Sequence, residues 1–538
     1  MSSEPKTSES DAAAAVRDGR TVLGIELGST RIKACLVLAD DPATVVAVAG
    51  HAWENRFRDR VWTYDLDDVW SGLQAAYADL VSEVRARHGV ELTSLAGIGV
   101  SAMMHGYLAF DEGGELLAPF RTWRNTSTGR AAAVLSELFA TNIPLRWSIA
   151  HLYQAILDDE PHVADVRHFT TLAGYVHWRL SGRNVLGVGD ASGMFPIDPA
   201  TRDYDRGMIE KFDRLVEERA YGMSLAELLP QVLAAGDNAG ELTPEGASLL
   251  DPSGTLRSGI PMCPPEGDAG TGMVATNSVA PRTGNVSAGT SIFAMVVLER
   301  PMATMHEELD LVTTPAGDPV AMVHCNNGAS ELGAWVDLFC RFAAVTGGSL
   351  DSDEVFEALF REALDGDPDA GGLLAYNHLS GEPIAGLAEG RPLFVRTPES
   401  RFTLANFMRS QLYGVFGTLA LGMRILDQEG VGLDRMYAHG GVFRTAGVAQ
   451  RFLAGALSTP VSVADTASEG GAWGIAVLAA FAASGSRLSL GDYLAEHVFD
   501  EAGFETVAPD PEDVPGFRAY LGRYRAGLAI EEAAVQAL

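Results

Sequence analysis

The alternation of apolar and polar positions first becomes regular at Thr21. Two apolar runs, Val22–Ile25 and Ala34–Ala39, flank a Gly-Ser-Thr bend, which predicts a tight β-hairpin. Leu66–His88 reads as a helix and Leu95–Val100 as a strand running into the segment SAMMHG. Residues 128–189 carry apolar side chains at three- and four-residue spacing and read as mainly helical. A Pro/Gly-rich stretch at 259–272 punctuates the chain. Directly after it, GNVSAGTSIFAMVVLE (284–299) predicts a second hairpin. Helical spacing returns over Glu331–Phe342 and Phe407–Leu426, and MYAHGGVFRTAG (436–447) reads as a strand meeting glycines. EGGAWGIAVLAAFAASG reads as a buried helix.

The hairpins share one plan: glycine, two hydroxyl residues, then an apolar strand, in LGSTRIKACLVL and again in AGTSIFAMVVL. Such a repeat at wide spacing implies a duplicated domain. A chain of 538 residues also exceeds what one core usually serves. The expected division is a leader at 1–20, an N-terminal domain at 21–265, a C-terminal domain at 266–485 and a helical extension at 486–538. The leader is polar, has no apolar signal-peptide stretch and reads as disordered.

Charge narrows the function classes. Asp and Glu number 71 against 39 Lys and Arg, for a formal net charge of −32. That surface repels phosphate backbones and anionic lipid, which argues against nucleic-acid and membrane partners. A polyphosphate pocket in such a protein must rely on metal ions, backbone amides and a few placed cations. Cys35, Cys263, Cys325 and Cys340 lack metal-type spacing and read as small buried hydrophobes, which fits a reducing cytoplasm.

Four segments carry candidate chemistry. The bends at Gly28, Ser29 and Thr30 and at Gly289, Thr290 and Ser291 can turn backbone amides toward a phosphate, with Lys33 adding a cation. An ordinary hairpin accounts for either bend alone, but two in equivalent positions favour the phosphate reading. Glu26, at the end of the first strand, is placed to hold Mg²⁺ or its water shell. Asp268 in PPEGDAGTGM sits between small residues, where an Asp can accept a proton from an acceptor hydroxyl, although an Asp-Gly turn is the bland alternative. His105, with Met104, lies beyond a strand end, where ligands of α/β proteins commonly sit, and a satisfied buried histidine is equally open. Gly440 and Gly441 leave a side-chain-free floor for a purine.

Five segments in this order, IELGSTRIK, GVSAMMHG, GDASGMFPID, PEGDAG with SAGTS, and HGGVFRTAGVAQ with EGGAWGIA, resemble the FGGY carbohydrate kinases, most of all their xylulokinase branch. The resemblance spans about Thr21 to Ser484. It implies an α/β fold of two ribonuclease-H-like domains of the actin and hexokinase type, with an interdomain catalytic cleft. It implies ATP and Mg²⁺ as cofactors and a small sugar as substrate, with no nucleic-acid or membrane partner, while a homodimer stays open. By this likeness Asp268 is the general base and a metal ligand beside Glu26. Gly28, Ser29, Thr30, Lys33, Gly289 and Thr290 match the phosphate segments, and Gly440, Gly441 and Phe443 the adenosine segment. Met104, His105, Trp123 and Asp190, with Ser192 close by, fall on the sugar side.

The departures from the family pattern concentrate on that side. Met103 stands for Gln, Ala269 for Asn, and Trp123-Arg124-Asn125 for Trp-Asn-Asp, while Glu26 replaces Asp at the metal position. The implied reaction is phosphorylation of a ketopentose such as D-xylulose at a primary hydroxyl. A kinase for another ketose or polyol, and a non-enzymatic actin-like ATP-binding protein, are the alternatives.

Overall fold

The structure, a computed structural model, describes residues 9–217, 224–464, 470–499 and 503–538. The chain divides into two compact units. The first comprises 1–279, 311–319 and 466–500, and the second 280–310, 320–465 and 501–538.

In the first unit, β1 (Thr21–Leu27), β2 (Arg31–Leu38) and β3 (Val45–Ala52) form an antiparallel meander. On the other side of β1 lie β4 (Gly97–Ala102) and β5 (Glu266–Gly267), both parallel, for a sheet order β5-β4-β1-β2-β3. β1 and β4 are buried almost throughout, as expected of central strands covered on both faces. The Leu66–His88 helix is well terminated: Asp67 and Asp68 lie in its first turn, Arg85 and Arg87 in its last, and Gly89 caps it in the left-handed conformation.

The second unit repeats this topology. β6 (Thr283–Ala288), β7 (Ile292–Val297) and β8 (Pro319–Cys325) form the meander, and β9 (Arg435–His439) and β10 (Val461–Ala464) follow parallel beside β6. The bends correspond too. Each is a three-residue connection between its strands; Gly28 N–H donates to Arg31 O at 3.0 Å across four residues, and Gly289 N–H to Ser291 O at 2.9 Å across three. The duplication read from two short motifs therefore extends through five strands of each sheet.

Three expectations need correction. The leader is not disordered where it is described: Glu9–Arg17 is helical, and Ala15 and Val16 are buried in the first core, because their apolar stripe covers it. Residues 1–8 lie outside the described residues. The expected boundary at 265/266 falls after Val279, and Gly470–Ser484, expected in the C-terminal domain, packs within the first unit. Finally, 486–538 is not a purely helical extension. β11 (Phe504–Val507) pairs antiparallel with β10 and extends the second sheet before the Asp513–Ala537 helix begins.

The Gly470–Ser484 helix is apolar on every side and buried, and the sheet accepts it through missing side chains. A Cβ on Gly24 would meet the backbone of Ala472 and lie 2.6 Å from Ala476 N, and one on Gly99 would lie 2.7 Å from Ile475 O. Helix backbone and β1 backbone thus touch directly. Among the described residues, no helix is long and apolar enough to cross a membrane. All four cysteines are free, with Cys340 only partly buried.

Candidate active site

Within the first unit, β1, β4, β5 and two helix N-termini bring the predicted acceptor and metal residues together. Asp268 opens the Asp268–Ala275 helix directly after β5. Its Oδ1 accepts the N–H of Met104 at 3.0 Å, so the two segments SAMMHG and PEGDAG, far apart in sequence, meet at this bond. Asp268 is exposed, so a ligand can reach it. Crowding pushes its carboxyl above the ordinary range, opposed by N–H donors of Met104 and Ala269.

Glu26 ends β1 and is partly buried. Loss of hydration pushes its carboxyl up to about 7; Lys33 opposes this, Asp268 adds repulsion, and the N–H of Ala472 donates to the charged form. That donor belongs to the first turn of the Gly470–Ser484 helix, so the close packing at Gly24 delivers a helix N-terminus to the predicted metal residue. Two carboxylates that repel one another beside a glycine-hydroxyl bend are a fitting donor set for Mg²⁺, which favours one or two carboxylates plus phosphate oxygens. Among the described residues, no cluster of three or more His, Cys, Asp or Glu forms a self-sufficient metal site.

Behind Asp268 stands an acid that sequence reasoning passed over. Glu266 is buried, and its carboxylate accepts N–H bonds from Gly189 at 3.2 Å and Asp190 at 2.9 Å. A Cβ on Gly189 would lie 2.5 Å from Glu266 Oε2, so glycine makes room for this acid. Burial, then repulsion from Asp190, pushes Glu266 up to about 8 against those N–H donors. The signal was available: Glu266 lies two residues before Asp268 in the same motif.

The residues expected on the sugar side differ in burial and surroundings. Met104 and His105 are buried at 6% and 5% exposure, and His105 adopts φ +68°, a left-handed conformation unusual for a non-glycine. Its Nδ1 lies 3.2 Å from Gly193 O, and its ring stacks at 6.5 Å from Trp147, which the sequence did not single out. Asp190 is fully buried: Oδ2 accepts from Thr171 Oγ1 at 2.6 Å, and Oδ1 borders Gly267. Burial, opposed by that Thr171 bond and reinforced by Asp268, raises it to about 7. Ser192 Oγ donates to Gly189 O and accepts from the N–H of Thr313. Trp123 is 38% exposed on a loop, and the arginines beside it are engaged, Arg121 with Glu160 and Arg124 over the Trp62 ring.

In the second unit the bend and the glycine floor are adjacent. Gly289 and Thr290 are exposed, and β9, parallel to β6, leads into Gly440 and Gly441. Gly440 has φ +110°, and a Cβ there would lie 2.9 Å from the Ala288 carbonyl carbon, so only glycine permits this approach. Phe443 differs from a simple contact residue: its ring is 7% exposed and packs at 6.5 Å from Phe416, beneath the floor.

Comparison with known proteins identifies the family of the chain. Residues 21–274 match the model of the FGGY family of carbohydrate kinases, N-terminal domain, and residues 284–483 match the C-terminal domain. The chain belongs to the FGGY family of carbohydrate kinases. It is thus an ATP-dependent sugar kinase of the two-domain actin/hexokinase-like fold. A xylulose kinase of Haemophilus influenzae is 21% identical over 440 residues, 78% of this chain and 82% of the relative. Ligand-bound xylulose kinase from Lactobacillus acidophilus superposes with a TM-score of 0.76 at 16% identity, covering 95% of this chain and 98% of that one. Gluconate kinase from the same organism gives 0.77 at 16% identity, covering 95% and 99%. This FGGY kinase therefore shares one fold with relatives named for chemically different substrates, one neutral and one anionic.

Proposed function

We propose that this FGGY kinase phosphorylates a neutral open-chain sugar, a ketopentose such as D-xylulose first, at a primary hydroxyl. The observation that carries the reading is the acidic acceptor side: Asp268 is its exposed carboxyl, Asp190 and Glu266 stand buried behind it with their ionisation held back, and Arg121 and Arg124 are already engaged. Two like charges at about 4 Å repel by roughly 4 kcal/mol at an effective dielectric constant of 20, enough to disfavour an aldonate. Hydroxyls, by contrast, can donate to carboxylates.

Asp268 acts as general base in this reading. Its Oδ1 is held by Met104 N–H, and its accessible tip takes the proton of the acceptor hydroxyl as the γ-phosphoryl group transfers in line. The raised carboxyl is better matched to proton abstraction near neutrality than an ordinary aspartate. Gly28, Ser29, Thr30 and Lys33 hold phosphate in the first unit; Gly289 and Thr290 do so in the second, where Gly440 and Gly441 receive the adenine. Glu26 and Asp268 would hold Mg²⁺, whose charge would neutralise phosphate oxygens. The free thiols fit a cytoplasmic enzyme.

A coupled ADP-release assay over xylulose, ribulose, a hexulose, a pentitol, glycerol and gluconate tests the proposal. A neutral ketose should give the highest kcat/KM. Preference for gluconate, or sugar-independent ADP release, would overturn it.

A further inference from the structure

The Asp513–Ala537 helix lies beyond both matched family segments, yet it is built into the second unit. Its N-terminal half docks through Phe517 and Tyr520, packed around Tyr413, and through the buried Asp513, paired with Arg409 and Arg451. Its later turns bury polar groups as well. Glu531 is 0% exposed; its Oε1 accepts Arg391 N–H at 2.8 Å and lies 3.4 Å from Nδ1 of the equally buried His378. His378 Nε2 stands 3.2 Å from both Thr418 Oγ1 and Tyr524 OH. Apolar side chains would dock a helix without the desolvation of a buried acid, so this end holds orientation as well as area.

What it orients is the segment beginning at Asn377. Asn377 Nδ2 donates to Gly328 O at 2.6 Å, and Asn327 Oδ1 accepts N–H bonds from Leu379 at 2.9 Å and Ser380 at 3.0 Å. The 327–329 loop then reaches the exposed bend: Gly328 N–H donates to Thr290 O at 2.7 Å and Ala329 N–H to Gly289 O at 2.8 Å. Both carbonyls of the bend are thereby held, which leaves its amides a fixed direction. The connection runs unbroken from Glu531 to Thr290.

We propose that the C-terminal helix is a positioning element for the Gly289–Thr290 phosphate bend, acting through Glu531, His378, Asn377 and Asn327. The proposal rests on the reading of that bend as an ATP phosphate site. Glu531→Gln and Asn377→Ala should each raise KM for ATP about 3- to 30-fold while KM for the sugar stays within about twofold. Gly289→Val is the reference: a Cβ there has its nearest neighbour, Ser291 O, at 4.0 Å, so the variant adds bulk at the bend without strain. An unchanged ATP KM in Gly289→Val overturns the phosphate-site reading itself. A raised ATP KM there, with none in folded Glu531→Gln and Asn377→Ala, overturns only the positioning role. Should Glu531→Gln not fold, Tyr524→Phe keeps the ring and removes the hydroxyl beside His378. Its effect on ATP KM should be non-additive with Asn377→Ala, and strict additivity, or equal rises in both KM values, refutes the relay.

Discussion

Replacing Glu266 by Gln should reverse the sign of its effect on stability between pH 5 and pH 8. Glu266 has an ordinary value of 4.5 and rises to about 8 in the folded protein. Between those values the native state keeps a proton that the unfolded chain has released, so native stability falls as pH rises through this window. At about 1.4 kcal/mol per pH unit, the full span amounts to about 5 kcal/mol from this single group. Gln is neutral throughout and escapes that loss. Its NH₂ cannot accept, however, so one of the two N–H donors from Gly189 and Asp190 goes unpaired, at about 1 kcal/mol. The variant should therefore be the less stable at pH 5 and the more stable at pH 8 by several kcal/mol. For a unit of roughly 300 residues, 1 kcal/mol corresponds to about 1.6 °C in Tm. Calorimetry of the unliganded protein should show a Tm loss of less than about 1 °C at pH 5, where wild-type Glu266 has already lost most of about 1 kcal/mol, and a gain of about 5 °C at pH 8. A difference of constant sign and size across that range would refute the buried, proton-holding carboxyl.

Asp268→Asn keeps the acceptor for Met104 N–H but removes the base, so kcat should fall about 10²- to 10⁴-fold with nucleotide affinity nearly unchanged, as read by ADP release and nucleotide titration. Glu26 must be ionised to hold a cation, so without bound metal its activity-linked ionisation should centre near pH 7; the Mg²⁺ requirement should fall as pH rises through that value, and Glu26→Gln should raise it 10- to 100-fold and flatten the trend. Gly24→Val forces a side chain into the backbone of the Gly470–Ser484 helix and should lower stability by at least about 1–3 kcal/mol, visible as a Tm drop of several degrees. An unchanged Tm would mean that helix and strand separate freely.

What was legible in the chain by itself was local. A bend of glycine and hydroxyl residues between apolar strands announces its geometry within ten residues, and its recurrence at 289 announced the duplication that both sheets bear out. Asp268 could be chosen because small residues surround it in one short motif. Tertiary structure alone decided the remainder. The Gly470–Ser484 helix is apolar all round, so its sequence holds no stripe to say which sheet it covers; only the backbone contact at Gly24 brings Ala472 N–H to Glu26. The strand Phe504–Val507 is too short to declare its partner, and Glu531 on the last helix reads as a solvated acid until burial places it against His378. Periodicity reports which neighbours a residue has along the chain, whereas hydration, charge repulsion and packing depend on neighbours in space, and the latter set what Glu26, Glu266 and Asp268 can do.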